Sequence, residues 1–323
     1  MSLTVSNLSK KYETKTVVNK LDFEISKPGV YALLGTNGAG KTTSIRMILG
    51  MLSRDSGEVL WNGAPLSLDT CSVGYLAEER GLYPKYTLLD QLIYFAELRG
   101  LSKADAEKRI DYWADRLEVS EYIFPTSALV QTLTGVAPSA RKKSQKPLKA
   151  DQLSKGNQQK IQFMVTLLSD PELLILDEPL SGLDPVNTDL FKSIIREEIN
   201  KGKYLIMSSH QMATVEEFCT DMTILSRSKT VLQGNLNEIK KRYGRVNLSL
   251  KTEQDATQLI NASGAKLITS KENEYEIKVD GDAQANALLG ALVQNHINIV
   301  TFDLREPSLH EIFVETVGGH EDE

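Results

Sequence analysis

The stretch that decides the fold reads Val30-Tyr31-Ala32-Leu33-Leu34-Gly35-Thr36-Asn37-Gly38-Ala39-Gly40-Lys41-Thr42. Its first five residues are all apolar, which predicts a strand buried within a sheet. Residues 41 to 49 have the pattern of a helix, and three glycines lie between the strand and this helix. At such a turn, backbone N–H groups and the helix N-terminus converge on one point, where they can hold a phosphate.

The turn has the spacing of a nucleotide-binding P-loop, since Gly35 is followed by four residues and then by Gly40-Lys41-Thr42. The glycines allow the backbone to approach a phosphate closely. The Lys41 ammonium adds a positive charge at the β- and γ-phosphates, and the Thr42 hydroxyl can ligate Mg²⁺. The predicted phosphate-binding residues are Asn37, Gly38, Gly40, Lys41, Thr42 and Thr43. A chance match in a glycine-rich turn is the alternative interpretation of this stretch alone.

Composition and charge narrow the function classes. The 323 residues suffice for two domains, each with its own core. The chain has 37 Lys and Arg against 43 Asp and Glu, and this net charge of −6 argues against a nucleic-acid partner. Cys71 and Cys219 have no ligand-like spacing, which fits a reducing cytosol. We expect neither a secretory signal nor a membrane span, so any membrane role requires a partner.

The chain shows two successive patterns of secondary structure. Strands alternate with helices up to about residue 238, which predicts an α/β domain over residues 1–238 with a largely parallel sheet. A helical part covers about residues 88–170 of this domain, and residues 88–118 are predicted to be helical. The order β-α-β-β-α-β over residues 245–317 indicates a small ferredoxin-like α+β domain. Its last helix begins with a capping box, Ser308-Leu309-His310-Glu311, and we expect residues 318–323 to be disordered.

Two carboxylates follow a second buried strand in Leu173-Leu174-Ile175-Leu176-Asp177-Glu178. Beside a P-loop, the carboxylate of Asp177 can hold Mg²⁺, directly or through water, and that of Glu178 can polarise an attacking water. Phosphoryl transfer requires both roles, because its catalysis consists mostly of positioning and charge stabilisation. Taken alone, the pair is also compatible with a solvated strand end.

A third motif, Leu153-Ser154-Lys155-Gly156-Asn157-Gln158-Gln159, comes shortly before this strand. With the P-loop and the carboxylate pair, it makes the chain closely resemble the ATP-binding cassette (ABC) family, whose Leu-Ser-Gly-Gly-Gln signature opens a helix. The resemblance implies ATP and Mg²⁺ as cofactors. It also implies that Ser154, Gly156 and Asn157 form a second phosphate cradle. The implied fold is a P-loop NTPase domain with a mixed sheet core, an antiparallel β subdomain and a helical subdomain.

The remaining family marks occur in the family's order. Ser181-Gly182-Leu183-Asp184 resembles the D-loop, and Asp184 is its candidate nucleotide contact. His210 matches the switch histidine that contacts the γ-phosphate, and Tyr12 matches the aromatic residue that stacks on adenine. The end of the chain, from Arg305 to Phe313, resembles the C-terminal domain of sodium, antibiotic and peptide exporters with separate membrane subunits.

Three features depart from the family pattern. The family usually has Gln as a Mg²⁺ ligand where this chain has Glu78. If the alignment shifts by one residue, Glu79 takes this position instead. A carboxylate can also coordinate Mg²⁺. In the signature, Lys155 and Asn157 replace Gly and Gln, and we expect Lys155 to be exposed. The third departure is an insertion at about residues 122–149, whose end is basic. It is either a disordered surface excursion or a docking element in the region where family members meet their membrane subunits, with a basic end that can contact anionic headgroups.

The resemblance implies an ATPase in which each ATP lies between two chains. One chain would supply Lys41, Thr42 and Asp177, together with Glu178 as general base and His210. The other would supply Ser154, Gly156 and Asp184. The simplest active unit is a homodimer, bound at the inner face of the cell membrane to an integral membrane subunit near residues 78–86 and 88–99. The alternatives are a soluble ABC ATPase acting on ribosomes or DNA, and a regulatory module whose C-terminal domain binds a small ligand.

Overall fold

The computed structural model describes residues 1–79, 81–124 and 148–318. The chain divides into two compact units. The first comprises Met1–His210 and Leu225–Thr230, and the second comprises Gln211–Ile224 and the chain from Val231 onwards. Our domain bounds of 1–238 and 245–317 stay a prediction.

The strands of the first unit form two sheets. They are β1 (Leu3–Tyr12), β2 (Lys15–Ile25), β3 (Gly29–Gly35), β4 (Ser56–Trp61), β5 (Ala64–Pro65), β6 (Val73–Leu76), β7 (Leu173–Asp177) and β8 (Tyr204–Ser209). An antiparallel sheet has the order β2-β1-β4-β5. In the other sheet β3, β8, β7 and β6 are parallel neighbours. Every residue of β3, β7 and β8 is buried, as expected for strands covered on both faces.

Two further strands, β9 (Asp221–Ser226) and β10 (Lys229–Asn235), each run across the division between the units. They complete a six-stranded sheet of order β10-β9-β3-β8-β7-β6. The mixed sheet and the antiparallel β subdomain that the sequence predicts are therefore present.

The helices of the first unit are α1 (Lys41–Ile48), α2 (Leu88–Leu98), α3 (Lys103–Arg116), α4 (Ser120–Ile123), α5 (Lys155–Leu167) and α6 (Pro185–Asn200), with a 3₁₀ turn at Ala150–Gln152. The prediction that residues 88–118 are helical holds for α2 and α3 and is wrong for residues 99–102, which separate the two helices. Gly100 has φ of 85°, which ends α2, and the Ser102 side chain caps the N-terminus of α3.

The second unit contains the predicted β-α-β-β-α-β order. Its elements are α7 (Met212–Phe218), α8 (Leu236–Tyr243), β11 (Asn247–Thr252), α9 (Thr257–Ala262), β12 (Lys266–Lys271), β13 (Glu274–Lys278), α10 (Asp282–Gln294), β14 (Ile299–Arg305) and α11 (Leu309–Gly318). The sheet order is β12-β13-β11-β14, and one apolar core includes Leu248 of β11 and Leu288 of α10. The predicted capping box is present, since Ser308 N donates to Glu311 Oε2 at 2.6 Å and Glu311 N donates to Ser308 Oγ at 3.3 Å.

Two sequence predictions fall largely outside the described residues. The insertion is described only at its ends, Tyr122–Phe124 and Leu148–Lys149, and of the tail 318–323 only Gly318 is described. Among the residues that the structure describes, no helix is both long and apolar enough to cross a membrane.

Candidate functional site

The P-loop joins the end of β3 to the start of α1. Two of its glycines occupy positions that leave no space for a side chain. Gly40 has φ of 108°, and a Cβ atom there would lie 2.5 Å from the carbonyl oxygen of Val17. Gly35 has φ of 154°, and its Cβ would lie 2.4 Å from the carbonyl oxygen of Leu225. These approaches leave no room for a side chain, so the glycines are needed for the path of the loop.

Lys41, the first residue of α1, reaches back over this loop. Its Nζ donates a hydrogen bond of 2.8 Å to the Gly35 carbonyl oxygen and lies 3.3 Å from Glu178 Oε1. The side chain is only 7% exposed, so its charge is screened little by solvent. The ammonium thus lies between the loop and the carboxylate that follows β7.

Asp177 closes β7 with its two carboxylate oxygens in different environments. Its Oδ1 accepts a hydrogen bond of 2.5 Å from Ser208 Oγ, at the end of the neighbouring strand β8. Its Oδ2 is buried and has no hydrogen-bond partner among the described residues. Burial raises the pKa of Asp177, and the neighbouring hydroxyl groups of Ser208 and Thr42 oppose that shift. A buried carboxylate oxygen without a partner is a suitable ligand for a hard cation such as Mg²⁺.

Glu178 is buried between the side chains of Lys41 and His210. Its Oε1 faces Lys41, and its Oε2 lies 2.9 Å from His210 Nδ1. The backbone of Glu178 has φ of 49°, a left-handed conformation that is strained for a residue other than glycine and typical of functional sites. The Glu178 N–H donates to Ser208 Oγ at 2.9 Å, which holds this conformation in place.

Lys41 and Glu178 border a cavity of about 350 Å³, whereas Asp177 and His210 are not among its lining residues. Its lining residues are Val17, Thr36, Asn37, Gly38, Gly40, Lys41, Thr42, Thr43, Glu78 and Glu178. All six predicted phosphate-binding residues of the P-loop therefore lie at the cavity, together with the predicted base. Val17 and Thr36 were not predicted from the sequence; Val17 belongs to the separate strand β2, and its approach to Gly40 depends on the fold.

Glu78 and Glu79, the two candidates for the family's Mg²⁺-binding Gln, have different environments in the structure. Glu78 lines the cavity. The Glu79 side chain is 87% exposed and lies 4.0 Å from Arg46 Nη2. The geometry therefore favours Glu78 over Glu79 as the residue that faces a bound nucleotide.

The signature and the D-loop lie together but do not line this cavity. The Ser154 side chain caps α5 by accepting a hydrogen bond of 3.3 Å from Asn157 N, and Asp184 caps α6 in the same way through Asn187 N at 3.0 Å. A Cβ on Gly156 would lie 3.6 Å from Asn187 Nδ2, so the two helix starts are neighbours. The chain thus presents two helix N-termini at a separate place from its own P-loop.

Tyr12 ends β1 and is 48% exposed. Its ring lies 5.5 Å from Lys10 Nζ, in the geometry of a cation–π contact. Tyr12 is not among the residues that line the P-loop cavity, so its stacking on adenine stays a prediction.

A second cavity, of about 490 Å³, lies over α2 and is lined by Tyr83, Tyr86, Asp90, Gln91 and Tyr94. We refer to it as the tyrosine groove. The three tyrosines are 48–63% exposed, which is unusual for so many large aromatic side chains in one place. Sequence reasoning identified this region, residues 78–86 and 88–99, as the docking site for a membrane subunit, but it did not identify the tyrosines themselves.

Family models match both parts of the chain. The model described as "ABC transporter" matches residues 18–181, and the model described as "ATP-binding protein DrrA1-3-like, C-terminal domain" matches residues 234–317. Each match covers a part that the sequence analysis interpreted separately, and together they confirm the family resemblance and the fold class.

Curated relatives and a solved structure agree with these matches. The uncharacterized ABC transporter ATP-binding protein YhaQ of Bacillus subtilis is 40% identical over 98% of this chain and 99% of its own length. The linearmycin resistance ATP-binding protein LnrL of the same organism is 28% identical over 98% of each chain. A solved structure of an ATP-binding subunit of an ABC transporter is 27% identical, with a TM-score of 0.63 over 75% of this chain and 93% of that chain.

Proposed function

The chain belongs to the ABC transporter family as an ATP-binding, ATP-hydrolysing subunit, and from this we propose that it drives export through a separate membrane-spanning subunit. The observation that carries the proposal is the cavity where the P-loop, Glu78 and Glu178 converge beside the unpartnered oxygen of Asp177. ATP-binding subunits of this family dimerise and work with membrane permease subunits.

The phosphates of ATP fit the positive end of the cavity. The N-terminus of α1 and the Lys41 ammonium favour negative charge there, and the glycines leave the backbone N–H groups accessible. A phosphate at this position competes with Glu178 for Lys41, because the carboxylate lies only 3.3 Å from the same ammonium. We propose that nucleotide binding moves Lys41 from the carboxylate to the phosphates.

The residues around Asp177 fit a Mg²⁺ ion. Asp177 Oδ2 and the Thr42 hydroxyl would hold it, and Glu78, which lines the same cavity as Thr42, would be a further ligand. Bound Mg²⁺ neutralises charge that develops on the phosphates. Buried carboxylate oxygens are costly unless they are paired, so a cation at Asp177 would also relieve the desolvation of this side chain.

Glu178 is the proposed general base. When Lys41 turns to the phosphates, Oε1 of Glu178 becomes able to accept a proton from a water at the γ-phosphate. His210 holds Oε2 at 2.9 Å and so orients the carboxylate. Burial of Glu178 limits competing water, which strengthens both contacts.

A second copy of the chain would complete the site. Ser154, Gly156, Asn157 and Asp184 lie at helix N-termini that do not line the chain's own P-loop cavity. An ATP on the P-loop of one chain would therefore receive these helix ends from its partner. We propose a symmetric homodimer, in which ATP binding closes the interface and hydrolysis reopens it.

One relative supports the proposed direction of transport. The linearmycin resistance ATP-binding protein LnrL matches 98% of this chain, and outward transport of a compound confers resistance to it. We therefore propose that the chain binds the inner face of the cell membrane, where its ATP is available. The tyrosine groove is the proposed contact with the membrane subunit, because exposed aromatic residues are enriched at protein interfaces.

The test is an affinity purification of the full chain from detergent-solubilised native membranes, followed by identification of what accompanies it. We expect a stoichiometric multi-span membrane protein; recovery of ribosomes or nucleic acid instead would refute the export proposal. Tyr86→Ala in the groove should weaken this association. Tyr112→Ala is the matched control and should not, since it removes a tyrosine of α3 that is 53% exposed, against 63% for Tyr86.

A further inference from the structure

Ser208 is fully buried near the end of β8, beside Asp177, which ends β7, and Glu178, which follows it. We propose that Ser208 is a positioning residue for hydrolysis: it aims Asp177 at the metal and holds the backbone of Glu178. The inference rests on the proposed roles of these two carboxylates, and it assigns a role to a side chain that does not line the cavity.

The hydrogen bond between Ser208 and Asp177 determines which oxygen of the Asp177 carboxylate can bind a cation. The Ser208 hydroxyl donates to Oδ1 at 2.5 Å, and Oδ2 is left without a hydrogen-bond partner in the described part of the chain. A carboxylate with one oxygen held by a neutral donor has a fixed orientation, as is usual for metal-binding side chains supported from behind. Without this hydrogen bond the Asp177 carboxylate could rotate and present either oxygen.

The contact with Glu178 acts on the main chain. Residues of β7 and β8 pair in parallel register, with Asp177 opposite Ser208, so Glu178 is the first residue beyond the paired strand. There its backbone turns into a left-handed conformation at φ of 49°, and its N–H donates to Ser208 Oγ at 2.9 Å. This hydrogen bond provides the partner that the buried N–H needs in the strained geometry.

A hydroxyl group is required at this position because one oxygen atom donates one hydrogen bond and accepts another. Ser208 Oγ donates its proton to Asp177 and accepts a proton from the Glu178 N–H. A serine or threonine hydroxyl can do both at once, whereas an alanine can do neither. Complete burial of Ser208 excludes solvent water from replacing it.

The experiment compares Ser208→Ala with Thr166→Val in the full chain. Thr166 is the matched control because its hydroxyl is also buried and contacts the carbonyl oxygens of Tyr75 and Gln162 at 3.2 and 3.0 Å, away from both carboxylates. Four quantities are measured: thermal stability, amide hydrogen exchange at Glu178, the ATP Kd with Mg²⁺ and with EDTA, and the Mg²⁺ dependence of kcat.

We expect Ser208→Ala to reduce kcat by about 10- to 100-fold and to raise the half-saturating Mg²⁺ concentration about tenfold. Amide exchange at Glu178 should speed up, and the Kd in EDTA should stay within about twofold of the wild-type value because phosphate contacts of the P-loop are untouched. Thr166→Val should lose stability to a similar degree without these changes.

Two outcomes separate the inference from the function on which it rests. If the wild-type chain hydrolyses ATP in a Mg²⁺-dependent way and Ser208→Ala behaves like Thr166→Val, the positioning role is wrong and the proposed function stands. If wild-type turnover does not depend on Mg²⁺, the proposed role of Asp177 as a metal ligand is wrong, and the role of Ser208 in aiming Asp177 at the metal fails with it.

Discussion

Replacing Glu178 with glutamine tests the central assignment of the site with little change of shape. The side chain is 6% exposed and contacts Lys41 through Oε1 and His210 through Oε2. Glutamine preserves its size and part of its hydrogen bonding, but it carries no charge and cannot accept a proton from water. We expect Glu178→Gln to bind ATP, to lose turnover and to accumulate as a closed, ATP-bound dimer.

The magnitudes follow from the geometry. A charge pair 3.3 Å apart attracts with roughly 5 kcal/mol at an effective dielectric constant of about 20. Desolvation offsets most of this attraction, so freeing Lys41 should strengthen ATP binding by about 1 kcal/mol, a roughly fivefold lower Kd. Loss of the general base should lower kcat by about 10²- to 10⁴-fold.

The assay combines phosphate release, calorimetric ATP binding and sedimentation with and without ATP. Glu172→Gln is the matched control, because Glu172 lies just before the opposite end of β7 and its carboxylate accepts a hydrogen bond of 3.3 Å from Ser72 N. The reasoning is refuted if Glu178→Gln keeps more than about a tenth of wild-type turnover, or if ATP dimerises it no better than wild type.

Three further predictions concern other parts of the chain. Gly40→Ala should abolish ATP binding and destabilise the first unit by about 1–3 kcal/mol, because the added Cβ would lie 2.5 Å from the Val17 carbonyl oxygen. Calorimetry measures the ATP affinity and urea unfolding measures the stability. A normal ATP affinity would contradict the prediction. Glu78→Gln should retain ATP binding and change the Mg²⁺ concentration that half-saturates turnover, whereas an unchanged Mg²⁺ titration would exclude Glu78 from the metal site. Burial opposes ionisation of Glu311, but hydrogen bonds from Arg305 and from the capping box lower its pKa to about 2. Since the folded pKa lies below the ordinary value of 4.5, its stabilisation is complete above that pH and is lost as pH falls towards 2. Glu311→Gln should therefore lower the free energy of unfolding by about 1 kcal/mol at pH 7, after allowance for solvent screening, and by less at pH 3. A stability loss that grows in acid would contradict the proposed pairing of Glu311 with Arg305.

Most elements could be predicted because their signals are local. The apolar runs of β3, β7 and β8 identify strands buried on both faces, and the glycine spacing identifies the phosphate-binding turn. The break between α2 and α3 was missed because the apolar pattern continues up to Gly100, whose left-handed conformation ends the first helix. A glycine followed by a capping serine was the available signal.

Parts of the candidate site could not be predicted because they depend on contacts between distant segments. Val17 reaches the P-loop only because β2 passes beside Gly40, and the tyrosine groove requires the loop before α2 to fold against that helix. Ser208 had a weak signal, since it lies two residues before His210 at a predicted strand end. Only strand pairing shows that it faces Asp177.

The sequence by itself determined the strand–turn–helix that binds phosphate, the family, and the residue types that carry the chemistry, because each depends on a short run of neighbouring residues. Tertiary structure decided how those residues are used. The parallel register of β7 and β8 joins Ser208 to the Asp177 carboxylate and to the Glu178 N–H. The turn after β6 directs Glu78 into the cavity while Glu79 faces solvent. Such choices depend on which segments pack together, and a one-residue change of register or rotation would reverse them without altering any motif.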